Sequence, residues 1–286
     1  MIFLIAVSLI WAFSFGIMGR LTGLDSTFVA TIRLSIAFLC FLPFFRYRKL
    51  QGKEAIQLFG IGALQFGVMY VSYIKAYAFL PSHLVALFSV LTPLYIVVAH
   101  ELAKRRWSWA LLACAALSIA GASVIKFSQA PEGSFWIGFG LMQIANIAFG
   151  LGQLLYRSWK HRRSDIADSE AMAALLAGGA VLSLLGFALF GDASKTAPSP
   201  EQWYVLLYLG AIASGLGFFW WNKGAALSSP GVLAACNNAV VPLAMAASLF
   251  VFGEAKNITT DSILKLSIGA TLIFAAIVWG KRLSKN

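Results

Sequence analysis

The sequence predicts an all-α polytopic membrane protein with ten transmembrane helices, arranged as two inverted five-helix repeats. Three observations predict this fold: apolar stretches of about 20 residues, the length that crosses a bilayer; positive charge in every second loop; and the same order of short motifs in both halves. The predicted spans are 2–19, 27–45, 55–79, 82–101, 107–125, 134–156, 170–190, 202–226, 229–252 and 262–280.

Composition predicts that lipid is the solvent of this chain. Hydrophobic residues form 60% of the 286 residues and charged residues 12%, whereas soluble domains carry about a quarter charged residues. The net charge of +11 raises the alternative of nucleic-acid binding. No basic patch interleaved with aromatic residues lies outside the spans, so we expect no nucleic-acid partner. Cys40, Cys114 and Cys236 fall inside apolar stretches without metal-ligand spacing, so we interpret them as small buried residues and expect no metal or other cofactor.

The basic residues orient the chain. Fourteen of the 22 Lys and Arg residues fall in the second and fourth loops, the sixth loop (Arg157, Lys160, Arg162 and Arg163) and the C-terminal tail, and four fall on the opposite side. Because Lys and Arg concentrate in cytoplasmic loops, both termini are predicted to be cytoplasmic, with the chain in the inner membrane. The first span begins at Met1 without a basic segment or cleavage site, and we interpret it as a retained helix rather than a signal peptide.

An internal repeat divides the chain into residues 1–130 and 131–286. Each half contains a lysine, then a proline-serine break, then a second proline after a run of small residues: Lys75-Ala76, Pro81-Ser82 and Thr92-Pro93-Leu94 in the first, Lys223-Gly224, Ser229-Pro230 and Val241-Pro242-Leu243 in the second. Since each half holds five helices, an odd number, the halves are predicted to lie in opposite orientations. This plan is typical of alternating-access transporters; a duplication without a transport role is the alternative.

Several motifs give the chain a resemblance to a known family. They are Trp11, Arg33, the segment from Ala76 to Pro93, Trp221-Asn222-Lys223-Gly224, Pro242 and Gly253-Glu254. In this order on a ten-helix frame, the sequence resembles the drug/metabolite transporter superfamily, in its EamA-type carboxylate, amino-acid and amine branch. The resemblance implies a substrate cavity between the halves, lined by helices one, three, four, six, eight and nine.

The chain departs from that family pattern at three places. His100-Glu101 stands where a Gly-Glu pair commonly closes helix four, helix seven has no counterpart of Arg33, and Lys75 occupies a position where relatives often carry an aromatic residue. The role of Lys75 is therefore not inherited from the family.

Helix six carries the clearest polar stripe. Gln143, Asn146, Gly150 and Gln153 recur at helical spacing and share one face. Because amides are costly against lipid, two alternatives stand: hydrogen bonds to a polar substrate, which we favour for three amides on one helix, and hydrogen bonds between packed helices.

Helices four and nine carry further polar residues. Ser82, Ser89, Thr92 and His100 lie near one face of helix four, where packing is the alternative to binding. In the repeat, Phe88 and Ser89 correspond to Asn237 and Asn238, which precede a proline that frees a backbone carbonyl. Asn237 and Asn238 are candidates to line the cavity, with packing as an equal alternative.

Helix three presents an aromatic stripe and one cation. Phe66, Tyr70, Tyr73 and Tyr77 recur along one face, and Lys75 points about 200° away from Tyr73. The tyrosines and Lys75 therefore cannot face one cavity. Lys75 is interpreted either as an anchor that snorkels toward the loop or as a cation that binds a substrate carboxylate.

The remaining candidates lie on helices one, two and eight. Trp11 and Trp221 can stack on an aromatic or apolar substrate, and Ser14 follows Trp11 by one turn. Arg33, a cation within a span, is expected to meet carbonyls or an acid and to be structural. Lys223 is expected to anchor or gate helix eight.

These features predict a secondary transporter that moves a small polar metabolite, an amino acid or related carboxylate, across the cytoplasmic membrane by alternating access. All eleven acids lie at helix ends or in loops, whereas Arg33, Lys75, Lys223 and Lys265 lie in spans, which favours an anion or zwitterion over a cation. The alternatives are transport of an amine, a nucleoside or a drug, and a channel-like facilitator. Because no nucleophile lies beside a base, we predict no enzyme activity. In the lipid bilayer the chain is expected to be a monomer or weak homodimer.

Overall fold

The chain folds into helices joined by short connections. Its structure is a computed structural model that describes residues 1–46, 50, 52–76, 78–80, 85, 88–105, 107–126, 135–243 and 260–283. Within these residues the helices are α1 (Ile2–Met18), α2 (Ser26–Phe41), α3 (Lys53–Ala76), α4 (Thr92–Lys104), α5 (Trp109–Lys126), α6 (Phe135–Arg162), α7 (Asp168–Phe190), α8 (Pro200–Leu227), α9 (Pro230–Asn237) and α10 (Thr260–Leu283). Predicted features outside the described residues are Arg48, Lys49, Tyr77, Pro81-Ser82, His83, Arg106, Gly253-Glu254, Lys256 and Lys285.

Six of the described helices are long and apolar enough to cross a membrane, namely α2, α3, α6, α7, α8 and α10. Three shorter apolar segments, Ile2–Ser14, Trp109–Val124 and Pro230–Leu243, accompany them. Large apolar side chains such as Trp136 and Phe274 are 75% and 67% exposed, as expected for a surface that contacts lipid. The all-helical membrane fold is thereby confirmed, and the full set of ten spans stays a prediction.

Three helix boundaries lie six or more residues from the predicted ones. α9 ends at Asn237 rather than at 252, with a turn at 238–239 shortly before Pro242. α6 continues to Arg162, so Arg157, Lys160 and Arg162 lie in its last turns rather than in a loop, where the helix dipole favours cations. α4 begins at Thr92 after the short 3₁₀ turn Ser89–Leu91, because Pro93 in its first turn has no N–H to donate to a carbonyl one turn earlier.

The three cysteines occupy different environments. Cys114 and Cys236 are buried, as predicted, and Cys114 Sγ lies 3.1 Å from Ala276 O. Cys40 is exposed, so its predicted burial is wrong. It follows Leu39, which is 59% exposed on the same outward part of α2, and an apolar stretch that contacts lipid does not bury every side chain.

The helix connections lie on two faces of the molecule. We call the face that holds the start of α1 and the end of α10 the terminal face. There Arg157 Nε donates to Ser228 O at 3.1 Å, Ser229 Oγ donates to Gly280 O at 3.3 Å, and Arg163 pairs with Glu54. The connections after α2, α6 and α8 therefore share the terminal face, in agreement with an up-and-down order of helices. That this face is cytoplasmic stays a prediction.

The opposite face is held together by Asp25, the N-cap residue of α2. Its carboxylate accepts hydrogen bonds from Thr27 Oγ1 at 2.5 Å, Phe28 N at 2.9 Å and Asp192 N at 3.2 Å. Its own N–H donates to Lys195 O at 2.8 Å, which joins the first and seventh loops. Partial burial raises the pKa of Asp25, but these hydrogen bonds outweigh it, and the pKa lies below its ordinary value.

Asp25→Ala is expected to lower the free energy of unfolding by about 1 kcal/mol, as the loss of an N-cap does. Because the folded-state pKa is depressed, the stabilisation is present above the unfolded pKa and is lost as pH falls through the folded pKa. Thermal unfolding in detergent should therefore separate the variant from the parent at neutral pH and not in strong acid. Asp261→Ala, which removes an exposed carboxylate paired with Lys265, is the control; equal melting temperatures for Asp25→Ala and the parent at neutral pH would contradict the assignment.

Glycines allow α3 and α7 to cross at very short distance. A Cβ on Gly62 of α3 would lie 1.8 Å from Leu175 O of α7, and a Cβ on Gly178 would lie 1.9 Å from Phe59 O. Small residues at such crossings are the usual means by which helices associate in lipid, where no hydrophobic effect drives them together. This crossing fixes the height of α3, which carries several candidate residues to the centre of the molecule.

Candidate functional site

Two helices that pass through the centre of the molecule contain π-helical segments. One is Ala63–Val68 in α3, and the other is Leu209–Leu216 in α8. In α8 the N–H of Gly217 donates to Ile212 O, five residues earlier. The carbonyl of Ala213 is thereby available to a partner outside the helix. Such segments within α-helices are frequent at functional sites.

An aromatic cluster lies against the π segment of α8, formed by Trp11 of α1, Phe149 of α6, and Phe218 and Trp221 of α8. Trp11 and Trp221 stack with ring centroids 4.9 Å apart at 29°, and Phe149 and Phe218 lie 6.2 Å and 5.9 Å from Trp11. Trp11 Nε1 donates to the carbonyl of Ala213 at 2.8 Å. The structure thus brings two sequence-predicted candidates, Trp11 and Trp221, into direct contact.

Trp221 contains a buried hydrogen-bond donor that has no partner among the described residues. Its side chain is 1% exposed, and no acceptor among the described residues contacts Nε1. An unpaired buried donor costs about 1–3 kcal/mol, so an acceptor supplied from outside the protein would be stabilising there. Trp159 Nε1 and Ser228 Oγ are also unpartnered, but they belong to the ends of α6 and α8 at the terminal face.

A pair of amides lies one residue from Trp221. Gln65 Nε2 donates to Asn222 Oδ1 at 2.7 Å, and Asn222 Nδ2 lies 3.4 Å from Gln65 Oε1. Both side chains are at most 1% exposed. Gly152 of α6 makes room for Gln65, since a Cβ there would lie 2.3 Å from Gln65 Cβ. Gln65 was not among the predicted site residues; its signal was that it is one of two amides, with Gln57, in the apolar span 55–79.

A second amide pair connects α6 to α9. Gln153 Nε2 lies 3.4 Å from Asn237 Oδ1, and Asn237 Nδ2 lies 3.3 Å from Gln153 Oε1. Asn237 Nδ2 also donates to Leu233 O at 2.8 Å within its own helix. Two residues predicted separately as cavity-lining are therefore neighbours, and in this conformation each satisfies the other.

The turn that precedes α4 is held by two asparagines from the second half of the chain. Asn146 Nδ2 of α6 donates to Phe88 O at 2.7 Å, and Asn238 Nδ2, just after α9, donates to Val90 O at 3.1 Å. Both carbonyls belong to the segment in which Pro93 interrupts helical hydrogen bonding. The residues of the predicted polar centre therefore lie close together, but their amide N–H groups donate to backbone carbonyls.

Gln143 and Thr92 extend this polar network. Thr92 Oγ1 donates to Ser89 O at 2.8 Å and lies 3.2 Å from Asn146 Oδ1. Gln143 Oε1 accepts from Tyr95 at 2.9 Å. The polar stripe of α6 therefore makes the interhelical hydrogen bonds that were the alternative to substrate binding, and whether it also binds substrate stays a prediction.

Arg33 of α2 is buried beside Ser214 and Tyr70. Its Nε and Nη2 lie 3.3 Å and 3.1 Å from Ser214 Oγ, and its Nη1 lies 3.3 Å from Met18 Sδ. The guanidinium carbon lies 5.2 Å from the centre of the Tyr70 ring. We expected carbonyls or an acid as partners from the sequence, and the structure instead shows a hydroxyl, a sulfur and an aromatic ring.

The structure shows in which directions the tyrosines and the lysine of α3 point. Tyr70 is buried and Tyr73 half-buried, whereas Lys75 is exposed, with Nζ 5.6 Å from the Phe190 ring. Lys75 is thereby separated from the other candidates and has the surroundings of a snorkelling anchor.

Ser14 and Lys223 make contacts away from the aromatic cluster. Ser14 Oγ donates to Ile10 O of its own helix at 2.7 Å. Lys223 Nζ lies 4.9 Å from the Phe3 ring and 5.9 Å from the Phe219 ring near the terminal face. These contacts suit an anchor at the end of α8.

A groove of about 390 Å³ lies on the outer surface of α10. Its five lining residues belong to this helix alone: Phe274, Ala275, Val278, Trp279 and Arg282. It contains none of the candidate residues and faces the surroundings of the protein, so we place the candidate site at the aromatic cluster and its adjoining polar residues.

Known proteins resemble this chain in sequence and in fold. Residues 1–127 match the EamA-like transporter family. The "Probable biotin transporter" of Pseudomonas aeruginosa is 34% identical over 287 residues, covering 99% of this chain and 98% of the relative. The "Biotin transporter" of Escherichia coli is 34% identical over 285 residues, covering 99% of this chain and 93% of the relative.

A solved structure supports the arrangement of helices. A crystal structure superposes on the whole chain with a TM-score of 0.80, covering 100% of this chain and 98% of the other. The identity is 18%, so this likeness concerns the fold alone.

Proposed function

This chain belongs to the EamA-like transporter family, within the drug/metabolite transporter superfamily, and from that membership we propose that it carries biotin or a close analogue across the cytoplasmic membrane. The protein is a multi-pass membrane transporter and not an enzyme. One observation supports biotin as the substrate: the chain is similar over 99% of its length to two relatives named for biotin. Those relatives do not support the amino acid expected from the sequence.

The chemistry of biotin suits the aromatic cluster and the Gln65–Asn222 pair. Biotin joins a bicyclic ring that contains a urea group to a four-carbon chain that ends in a carboxylate. Small-molecule sites are mostly apolar with a few placed polar groups. The stacked indoles of Trp11 and Trp221 offer flat apolar surfaces, the free Trp221 N–H offers a donor to the urea oxygen, and the amides offer partners to its N–H groups.

The position of the cluster suits alternating access. The cluster and the Gln65–Asn222 pair are built by α1 and α3 from residues 1–130 and by α6 and α8 from residues 131–286. We propose these two segments as the inverted repeats. The repeat is supported by the π segments, Ala63–Val68 and Leu209–Leu216, which occur in the third helix of each half. Movement of one half against the other separates Trp11 from Trp221 and opens the site to one face at a time.

Charge supports an orientation with the terminal face in the cytoplasm. Arg157, Lys160, Arg162 and Arg163 lie together at the end of α6, on the face that also holds the end of α10 with Lys281 and Arg282. Basic residues are retained on the cytoplasmic side. Both termini are then cytoplasmic, and a monomer or weak homodimer stays the expected state of assembly.

The transport proposal is tested with purified protein in liposomes that are loaded with unlabelled biotin and exposed to labelled biotin outside. We expect saturable uptake that is stimulated by internal biotin, since a carrier exchanges its substrate. Unlabelled biotin and desthiobiotin should compete, whereas amino acids and nucleosides should not. Protein-free liposomes and liposomes loaded with buffer are the controls.

Each contrary result identifies a different error. Exchange of amino acids without exchange of biotin would restore the substrate class expected from the sequence. Flux that rises linearly with concentration and is not stimulated from the opposite side would indicate a channel-like facilitator.

A further inference from the structure

The charge of Arg33 is not neutralised by any described residue. Arg33 is 8% exposed, and none of the ion pairs among the described residues includes it. A buried cation without a counter-charge is expensive in a membrane protein, and such residues mark ion or substrate sites more often than packing.

The contacts of the guanidinium leave capacity for an anion. It carries five N–H donors, and its described acceptors are Ser214 Oγ and Met18 Sδ. A thioether sulfur is a weak acceptor. A carboxylate that displaces Met18 from Nη1 would give the guanidinium a charged acceptor in place of a weak one, and arginine binds carboxylates most strongly through paired N–H groups.

The surrounding hydroxyls converge on the same point. Ser214 lies in the π segment of α8, and its Oγ lies 3.4 Å from the hydroxyl of Tyr70. Tyr70 in turn contacts the aromatic cluster, because its ring lies 5.9 Å from Phe218, which lies 5.9 Å from Trp11. The cation and the aromatic surfaces therefore form one continuous region.

We propose that Arg33, with the hydroxyls of Ser214 and Tyr70, binds the carboxylate of the transported molecule. The proposal rests on the proposed function. The aromatic cluster binds the ring of the substrate, and Arg33 binds the carboxylate at its other end. Ser214 and Trp221 are seven residues apart on α8, about 10 Å along the axis. That separation suits a molecule whose ring and carboxylate are joined by a four-carbon chain.

The test compares the binding of biotin with that of biotinamide, which has a neutral carboxamide in place of the carboxylate. Affinities are measured by titration calorimetry on purified protein in detergent. The parent is expected to prefer biotin. Arg33→Gln should lower the affinity for biotin roughly 10- to 100-fold, as expected for the loss of charged hydrogen bonds. It should leave the affinity for biotinamide unchanged. Arg33→Lys, which keeps the charge without the two-pronged geometry, should fall between.

The matched control is Arg20→Gln, which makes the same substitution at an exposed arginine on the same face and should bind both ligands as the parent does. If Arg33→Gln is not recovered folded, Ser214→Ala is the second test. It should lower the affinity for biotin by a smaller factor and leave the affinity for biotinamide unchanged.

Three outcomes overturn the proposal. Equal weakening of both ligands by Arg33→Gln would show a structural role, and parental biotin affinity in that variant would show no role. If the parent protein binds neither ligand, the biotin assignment itself fails, and the carboxylate assignment fails with it.

Discussion

Gly62→Ala is expected to destabilise the protein severely, whereas Gly60→Ala, two residues earlier on α3, is expected to be neutral or slightly stabilising. The two substitutions add the same methyl group to the same helix. At Gly62 that group would lie 1.8 Å from the carbonyl oxygen of Leu175, and at Gly60 it meets nothing within 4 Å. The contrast therefore isolates the close crossing of α3 and α7.

The size of the effect follows from what has to move. The obstructing atom is backbone on α7, which does not rotate away as a side chain does. From the other side, a Cβ on Gly178 would likewise lie 1.9 Å from the backbone oxygen of Phe59. Overpacking of a close contact costs about 1–3 kcal/mol when side chains adjust, and more when backbone shifts, so we expect a loss of about 3 kcal/mol or more. Alanine in place of glycine within a helix gains at most about 1 kcal/mol.

Thermal unfolding in detergent, followed by size-exclusion chromatography of the heated samples, measures both variants. Gly60→Ala should elute as the parent does at every temperature at which the parent is intact. Gly62→Ala should be lost at a markedly lower temperature or fail to accumulate in the membrane. Parallel unfolding of the two variants would show that the crossing is looser than the structure indicates.

The helices of this protein were predictable because their apolar runs have to match the thickness of a membrane. Six of the predicted spans correspond to described helices of spanning length. The helix boundaries that departed most from prediction are those where charge or proline acts locally: the end of α6 around Arg157, the start of α4 before Pro93, and the end of α9 before Pro242. Hydropathy averages over such positions and does not locate a helix end.

The partners of polar residues were far less predictable than their locations. Spacing along α6 placed Asn146 on a polar face, but it contains no information about the helix opposite. The structure shows that this partner is the carbonyl of Phe88. An interrupted helix exposes its own backbone, and the backbone then competes with a substrate for the amide. Substitution of Asn146 therefore tests the turn before α4 as much as it tests a binding site.

The π segments were absent from the prediction for a related reason. Their sequences, ALQFGV in α3 and LGAIASGL in α8, read as ordinary apolar helix. A shift from four- to five-residue hydrogen bonding is settled by tertiary contacts, such as the indole of Trp11 on the carbonyl of Ala213. Gln65 and Ser214, which lie in these segments, were missed together with them.

Trp11 and Trp221 offer the sharpest test of the aromatic cluster, because within the described part of the chain the N–H of Trp11 has an acceptor and that of Trp221 has none. Trp11 Nε1 donates to Ala213 O, while Trp221 Nε1 is buried without an acceptor among the described residues. Replacement by phenylalanine removes the N–H from each and retains an aromatic ring. The same substitution should therefore have opposite consequences at the two positions.

Trp11→Phe is expected to lower the free energy of unfolding by about 1–3 kcal/mol, because it leaves the buried carbonyl of Ala213 unsatisfied. Trp221→Phe removes an unsatisfied donor and should leave stability unchanged or raise it, apart from a small loss of packing. If the Trp221 N–H binds the urea oxygen of biotin, the same variant should bind biotin about tenfold more weakly, the cost of one hydrogen bond in a buried site.

Calorimetric titration with biotin and thermal unfolding of the ligand-free protein, on the same preparations, separate the two effects. A loss of affinity in Trp221→Phe together with parental stability assigns the donor to the substrate, because a structural role would lower both. A variant that binds biotin as tightly as the parent would remove Trp221 from the site and leave the Gln65–Asn222 pair as the nearest source of polar contacts. Since Gln65 is 0% exposed and already bonded to Asn222, that second arrangement requires the Gln65–Asn222 hydrogen bonds to break, in addition to the separation of Trp11 from Trp221, before substrate binds.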